Sequence, residues 1–261
     1  MRIVSLCPSL TELVFDLGRG DELVGRTKFC VHPADRVAVV EKVGGTKNPK
    51  VDRIIELGPD LVLLNEEENR RDDAEALQAA GIRCHVSFPR NALDTAAMVR
   101  SIATAIDAVA EGERIARDIE ARYRRVVRTA QGREPVRFAY LIWRNPWMAA
   151  NADTFVSAML AQAGGVNVFA DASHRYPTIT PEVLRTTDPA LVLLSTEPFP
   201  FKDSHADELA TLSGIARERF HIVDGELLSW HGSRTPAGID YAEQVIEQGR
   251  TSHASVSQPR V

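Results

Sequence analysis

The sequence is poor in the features that would place it quickly. Only three of its 261 residues are cysteine: Cys7, Cys30 and Cys84. An odd, sparse set excludes a disulfide framework, and spacings of roughly 23 and 54 residues fit no compact zinc pattern. Long apolar runs are missing. The uninterrupted Leu-Val-Leu-Leu stretches at 61–64 and 191–194 fall far short of the ~20 residues a membrane-spanning helix needs. There is no block of Lys or Arg, and the net charge is -5, so a nucleic-acid backbone is a poor partner. No phosphate-cradling glycine loop, nucleophile elbow or His-Glu-x-x-His is present, and no enzymatic activity is expected. Cys7 is the one thiol set ahead of a helix, where a nucleophile with His32 as its base would fit. Cys84 reads as a small buried hydrophobe. No secretory signal precedes the first strand. The expectation is a cytoplasmic protein as written, or a periplasmic or cell-surface one if a leader has been removed.

What is present is alternation. Residues 2–6 read as a buried strand. A helix follows, opened by Ser9 with Glu12 three positions on as a capping box, and its face is Leu10, Leu13, Val14 and Leu17. Further strands are expected at 23–25, 60–64 and 82–88, with helices at 51–57 and 71–80. That order predicts a mainly parallel sheet between helices. From 93 to 129 there is no proline and one glycine, Gly112. Met98, Ile102, Ile106, Val109, Ile115, Ile119 and Val126 recur at helical spacing. One long helix is expected, or two in line with a weak point at Gly112. At 1.5 Å per residue it would reach about 55 Å, longer than one lobe is wide. After Pro135 the alternation resumes, with strands at 137–143, 191–194 and 220–223 and helices at 154–163 and 238–248.

An internal echo organises this pattern. A shift of 130 residues aligns Asp52 with Glu182, Ile54 with Leu184, Pro59 with Pro189 and Glu67 with Glu197, and it carries Leu-Val-Leu-Leu from 61 to 191. Two similar lobes on either side of the long helix account for it. The expected architecture is α/β: two Rossmann-like lobes with mainly parallel sheets, residues 1–92 and 132–249, joined by one long backbone helix over 93–131. Residues 250–261 are expected to form a flexible tail.

These features coincide with a family pattern. The opening Arg2-Ile3-Val4-Ser5-Leu6-Cys7-Pro8-Ser9-Leu10-Thr11-Glu12, then Leu17-Gly18 with Asp21 and Val24-Gly25, Val43-Gly44-Gly45 with Asn48-Pro49, and Pro59-Asp60-Leu61-Val62 resemble the helical-backbone metal receptor superfamily. This is the class III periplasmic-binding-protein fold, and its cobalamin-binding members are the most similar. The resemblance extends to about residue 249. It implies a solute-binding protein that holds a metal chelate between its lobes for ABC-type uptake: cobalamin or another corrinoid, a ferric siderophore, or haem. No resident cofactor is required, the state is expected to be monomeric, and no membrane-embedded segment is implied. A cytosolic carrier or sensor of such a chelate is the alternative, and an enzyme using the same cleft is a further one. The chain departs from the transport pattern in its missing export signal. It also has Asn65 where the cobalamin protein is expected to present an aromatic side chain.

Ligands of open α/β sheets collect beyond the carboxyl ends of strands. That rule selects Cys7, Lys28, Phe29, Cys30, His32, Asn48, Glu67 and Arg90 in the first lobe. In the second it selects Trp143, Arg144, Trp147, Arg175, Tyr176, Glu197, Phe199, Trp230 and His231. Trp143 and Trp147 would offer flat faces to a macrocycle. The arginines would bind carboxylate or phosphate. His32 and His231 are the candidate axial metal ligands. Glu66, Glu67 and Glu68 read as a solvated start of a helix. The resemblance further implies an ABC permease partner docking on acids of both lobes, here Asp72, Asp73 and Glu75, and Asp207 and Glu208.

Overall fold

The structure, a computed structural model, describes residues 1–256, with side chains described through 251. The chain forms two compact units. The first comprises Met1–Pro89, Leu93–Ile119 and Trp230–Arg234; the second comprises Arg90–Ala92, Glu120–Ser229 and the described residues from Thr235 on.

In the first unit the order is β1 (Ile3–Ser5), α1 (Pro8–Asp16), β2 (Leu23–Arg26), α2 (Ala34–Val37), α3 (Val51–Leu57), β3 (Leu61–Asn65), α4 (Arg71–Ala79) and β4 (Cys84–Ser87). The sheet runs β2-β1-β3-β4 and is parallel throughout. β3 is buried along its whole length, as its unbroken apolar run requires of a central parallel strand. Val4, Leu6, Val62 and Leu64 pack with Ile54 of α3 and Leu77 of α4. The expected capping box is absent. α1 begins at Pro8 with Cys7 as its N-cap, because proline is well placed in a first turn, and Glu12 instead pairs with Arg234 at 2.5 Å.

The expected single long helix is two: α5 (Ala92–Ala105) and α6 (Val109–Ala130). The break lies at Asp107, whose φ of 57° is left-handed, and not at Gly112. Aspartate tolerates that conformation better than most residues, and burial of Ile102, Ile106 and Ala108 holds the corner. The helices are not in line. A Cβ on Gly112 would stand 2.2 Å from the Ala103 side chain, and Arg100 pairs with Glu113 at 2.6 Å. In one continuous helix positions 103 and 112 would be about 13 Å apart. Gly112 is therefore a close-approach residue. The boundary between the units falls within α6, between Ile119 and Glu120.

The second unit adds β5 (Val136–Trp143), β6 (Met148–Ala149), α7 (Phe155–Gln162), β7 (Gly165–Asn167), α8 (Pro181–Thr186), β8 (Leu191–Ser195), α9 (Asp203–Ser213), β9 (Phe220–Val223), α10 (Gly225–Ser229) and α11 (Thr235–Val256). Its sheet runs β6-β5-β8-β9, with β7 parallel to β5 and only β6 antiparallel. β7-β5-β8-β9 thus repeats the connectivity of β2-β1-β3-β4, and the duplicated Leu-Val-Leu-Leu forms a buried central strand in both sheets. Of the expected tail, α11 takes in the backbone to Val256, and residues 257–261 lie outside the described residues. Among the described residues no helix is long and apolar enough to cross a membrane.

Candidate functional site

The carboxyl edge of the first sheet is built around two asparagines that end β3 and start the next loop. The Asn69 carboxamide donates to the carbonyls of Leu6 and Thr46, each at 3.0 Å, and accepts from the Asn65 N–H at 2.8 Å. The Asn65 carboxamide accepts from the N–H groups of Glu67 and Glu68 and donates to the Ser87 carbonyl at 3.0 Å. Two side chains thus fix the ends of β1, β3 and β4 and the glycine loop before α3. Both are buried, and each polar group is repaid with a hydrogen bond. Sequence reasoning placed the 65–69 segment at the rim but not its bracing role; the signal was an asparagine closing an all-apolar strand, with a second one four residues on.

His231 joins this network. Its Nε2 lies 3.3 Å from the Asn65 Nδ2 and 3.5 Å from the Ser9 Oγ. Burial pushes its pKa down to about 4, so the ring is neutral at pH 7. The Nε2 lone pair is met by a carboxamide donor inside the unit, which corrects its expected role as an axial ligand. Trp230, beside it, meets the edge of His32 at 5.6 Å, and Arg234 lies over the Trp230 ring at 4.8 Å. His32 is half-buried.

Both rim cysteines are corrections. Cys30 is fully buried, with Thr11 Oγ1 donating to its sulfur at 3.0 Å and Thr27 Oγ1 sharing a hydrogen bond with it at 3.1 Å. Cys7 is buried against Ser9, and desolvation pushes its thiol up to about 12. A thiol held protonated is neither a nucleophile nor a metal ligand at neutral pH. Cys84 is half-buried, more open than expected. Lys28, Phe29 and Asn48 are exposed, with the ammonium of Lys28 over the Phe29 ring at 4.9 Å. Glu66, Glu67 and Glu68 form a turn before α4 and not its first residues. Glu68 is substantially desolvated, which raises its pKa.

The carboxyl edge of the second sheet is aromatic. Trp143 closes β5 and remains 40% exposed, with Phe199 edge-on to it at 5.7 Å. Phe199 packs on Phe201 at 4.8 Å and on His205 at 5.2 Å. Trp147 stacks on Phe201 at 6.0 Å, with ring planes within 6°. It is a core residue of this unit and not the ligand-facing ring expected of it. Phe201 belongs to the 197–201 loop expected to add ring surface, whereas His205 was not anticipated as part of the cluster.

The second unit's arginines are engaged. Arg144 grips Glu208 with two nitrogens, at 2.9 and 2.7 Å, which holds the Glu208 carboxyl below its usual range. The two residues, expected in a ligand and a docking role, are each other's partner. Arg175 donates to the Asp153 carbonyl at 2.7 Å and lies beside the Tyr176 ring, and Arg90 approaches the Asp153 carboxylate at 3.6 Å. Glu197 accepts from Ser229 Oγ at 3.3 Å. Gly225 is required here, since a Cβ would stand 2.4 Å from Ser195 Oγ and 2.6 Å from Glu197 Cγ. The remaining docking candidates sit on α4 and α9: Asp72 pairs with Arg70, Glu75 with Arg71 and Asp207 with Arg217, while an Asp73 oxygen is buried without a partner. Among the described residues no group of three His, Cys, Asp or Glu side chains is arranged to hold a bare metal ion.

Two duplicated parallel α/β units with loop-built carboxyl edges define a class of binding protein, and the comparisons agree. Residues 3–217 match the model of the periplasmic binding protein family, and the chain belongs to that family. The vitamin B12-binding protein of Vibrio cholerae serotype O1 is 23% identical over 244 residues, covering 94% of this chain and 87% of the relative. The crystal structure of the periplasmic vitamin B12-binding protein BtuF of Vibrio cholerae superposes with a TM-score of 0.83 at 20% identity, covering 95% of this chain and 97% of that one. The periplasmic haem-binding protein RhuT of Roseiflexus sp. RS-1 superposes with a TM-score of 0.82 at 25% identity, covering 96% and 98%. These solved relatives are periplasmic by name, and none supports the expected cytoplasmic placement.

Proposed function

We propose that this protein is the solute-binding component of an ABC-type uptake system and that its solute is a corrinoid, cobalamin first among them. The observation that carries the reading is the braced aromatic edge of the second unit. Trp143 keeps 40% of its surface exposed while Phe199, Phe201 and His205 fix its setting. A rigid, wet-facing indole costs little conformational entropy when it covers a flat macrocycle. The curated relatives named vitamin B12-binding proteins support the same ligand. So does the commitment of His231: cobalamin brings axial ligands of its own, whereas haem takes one from its protein. Phe29, Lys28 and His32 on the first unit, and Arg175 with Tyr176 on the second, are the further proposed contacts. Such a role places the mature protein outside the cytoplasmic membrane, delivering solute to a permease that reads the acids of α4 and α9. The reading carries no catalytic step.

Titration with cyanocobalamin, cobinamide, haemin and a ferric siderophore, read by tryptophan fluorescence, tests this. Saturable one-to-one quenching by both corrinoids is expected, with Trp143→Ala weakening it at least about tenfold, the loss of one well-packed ring. Quenching by haemin alone, abolished by His32→Ala, would favour a haem carrier instead. No response to any of the four would overturn the proposal.

A further inference from the structure

The last strand of the second sheet has one open side. β9 pairs with β8 only, and the Val223 carbonyl accepts from Thr196 N–H at 3.0 Å. In a parallel ladder this turns the N–H and C=O groups of 221 and 223 toward β8 and those of Phe220 and Ile222 away from it. The outward groups can be accounted for one by one. The Phe220 N–H is taken by the Arg217 carbonyl and its C=O by Arg217 Nη1 at 2.9 Å. Beyond the strand, the Asp224 N–H is taken by the Tyr241 hydroxyl at 3.1 Å. Only Ile222 keeps both main-chain groups on the open side without a partner among the described residues. The edge is blunted at both ends and open at one residue.

Two depressions meet at that residue. One of about 400 Å³ includes His221, Ile222, Tyr241 and Gln244, and one of about 440 Å³ includes Ile222, Asp224 and Glu226. Their linings contain the carboxylates Glu197, Asp203, Asp224 and Glu226 and neither Lys nor Arg; Arg217 holds Asp203, Ser229 donates to Glu197 and the Leu227 N–H to Asp224. His221 Nε2 is buried there without a hydrogen-bond partner. Desolvation and the nearby Arg217 lower its pKa, which favours the neutral ring.

We propose that the open edge of β9 is a docking strand for an extended basic segment of a partner protein. Its main chain exchanges two hydrogen bonds with Ile222, and its lysine or arginine side chains enter the depression lined by Glu197, Asp224 and Glu226. Strand addition of this kind draws affinity from main-chain bonds and selectivity from flanking pockets. A second copy of this chain is the poorer occupant, since it would bring a second edge bearing the same carboxylates against the first. The proposal is independent of the solute-binding reading.

The test uses the full chain labelled with nitrogen-15 and a capped heptapeptide of alternating lysine and valine. A glutamate-for-lysine peptide is the control. The lysine peptide should slow hydrogen exchange at the Ile222 amide by about tenfold or more at saturation, as a new hydrogen bond does. The glutamate peptide should leave it unchanged. Asp224→Asn combined with Glu226→Gln, which keeps the Asp224 cap on Leu227, should weaken the lysine peptide about fivefold or more. Three results would each overturn the proposal: unaltered exchange at Ile222, equal protection by the acidic peptide, or concentration-dependent protection with no peptide present.

Discussion

Strands β3 and β8 have the same four residues, Leu-Val-Leu-Leu, and the same central place in their sheets. They differ in the fifth. Asn65 ends β3 and gathers the rim loops of the first unit into one polar network. Ser195 ends β8 and accepts from the Tyr140 hydroxyl at 2.9 Å while donating to the Glu197 carbonyl at 2.6 Å. That short side chain leaves room for Gly225 and for a rim made of rings. A duplicated apolar strand thus fixes the core of both units, and one polar residue at its end gives each rim its chemistry.

The comparison can be broken at the strand itself. Leu63 and Leu193 are both fully buried. Alanine at either should cost about 2–5 kcal/mol in urea unfolding, because each leaves a cavity of similar size. If one cost little, the strands would not be equivalent.

The next test concerns acid. His231 is neutral in the folded unit down to about pH 4 and would be protonated below its ordinary 6.5 when unfolded. The unfolded chain therefore binds the extra proton, and stability is lost as pH falls from 6.5 toward 4, at about 1.4 kcal/mol per pH unit for one group. Relative to His231→Gln, the wild type should lose stability more steeply across that window, and parallel curves would contradict the assignment.

The fifth positions themselves come third. Asn65→Ala strands several buried groups and should cost roughly 2–3 kcal/mol, against about 1 kcal/mol for Ser195→Ala. Equal costs would remove the asymmetry on which the comparison rests. The smallest effect should be at Arg144→Ala. Its pair with Glu208 is open to solvent, so the urea midpoint should stay within the error of the wild type.

Much of this fold was legible because apolar runs and strand-to-helix order are local signals. The strand at 220–223, the helix at 51–57 and the echo of 61–64 at 191–194 could be read directly. The corner at Asp107 could not, since helical spacing runs unbroken through it and only the packing of Ala103 on Gly112 decides it. The same limit applies at the rims. Trp143 and Phe199 were visible as aromatics after strands. Sequence could not show that Trp147 would stack into the core, that Arg144 would be held by Glu208, or that Cys7 and Cys30 would be sealed. Those outcomes depend on which side chains meet across loops distant in sequence.

The central claim is that an aromatic edge braced on one unit holds a corrinoid. Cyanocobalamin titrated into wild type and Trp143→Ala, with urea unfolding of both as a control, tests it most directly. The account predicts one-to-one binding by the wild type, and a variant that folds normally with affinity reduced at least about tenfold. Undiminished binding by the folded variant, or none by the wild type, would contradict it.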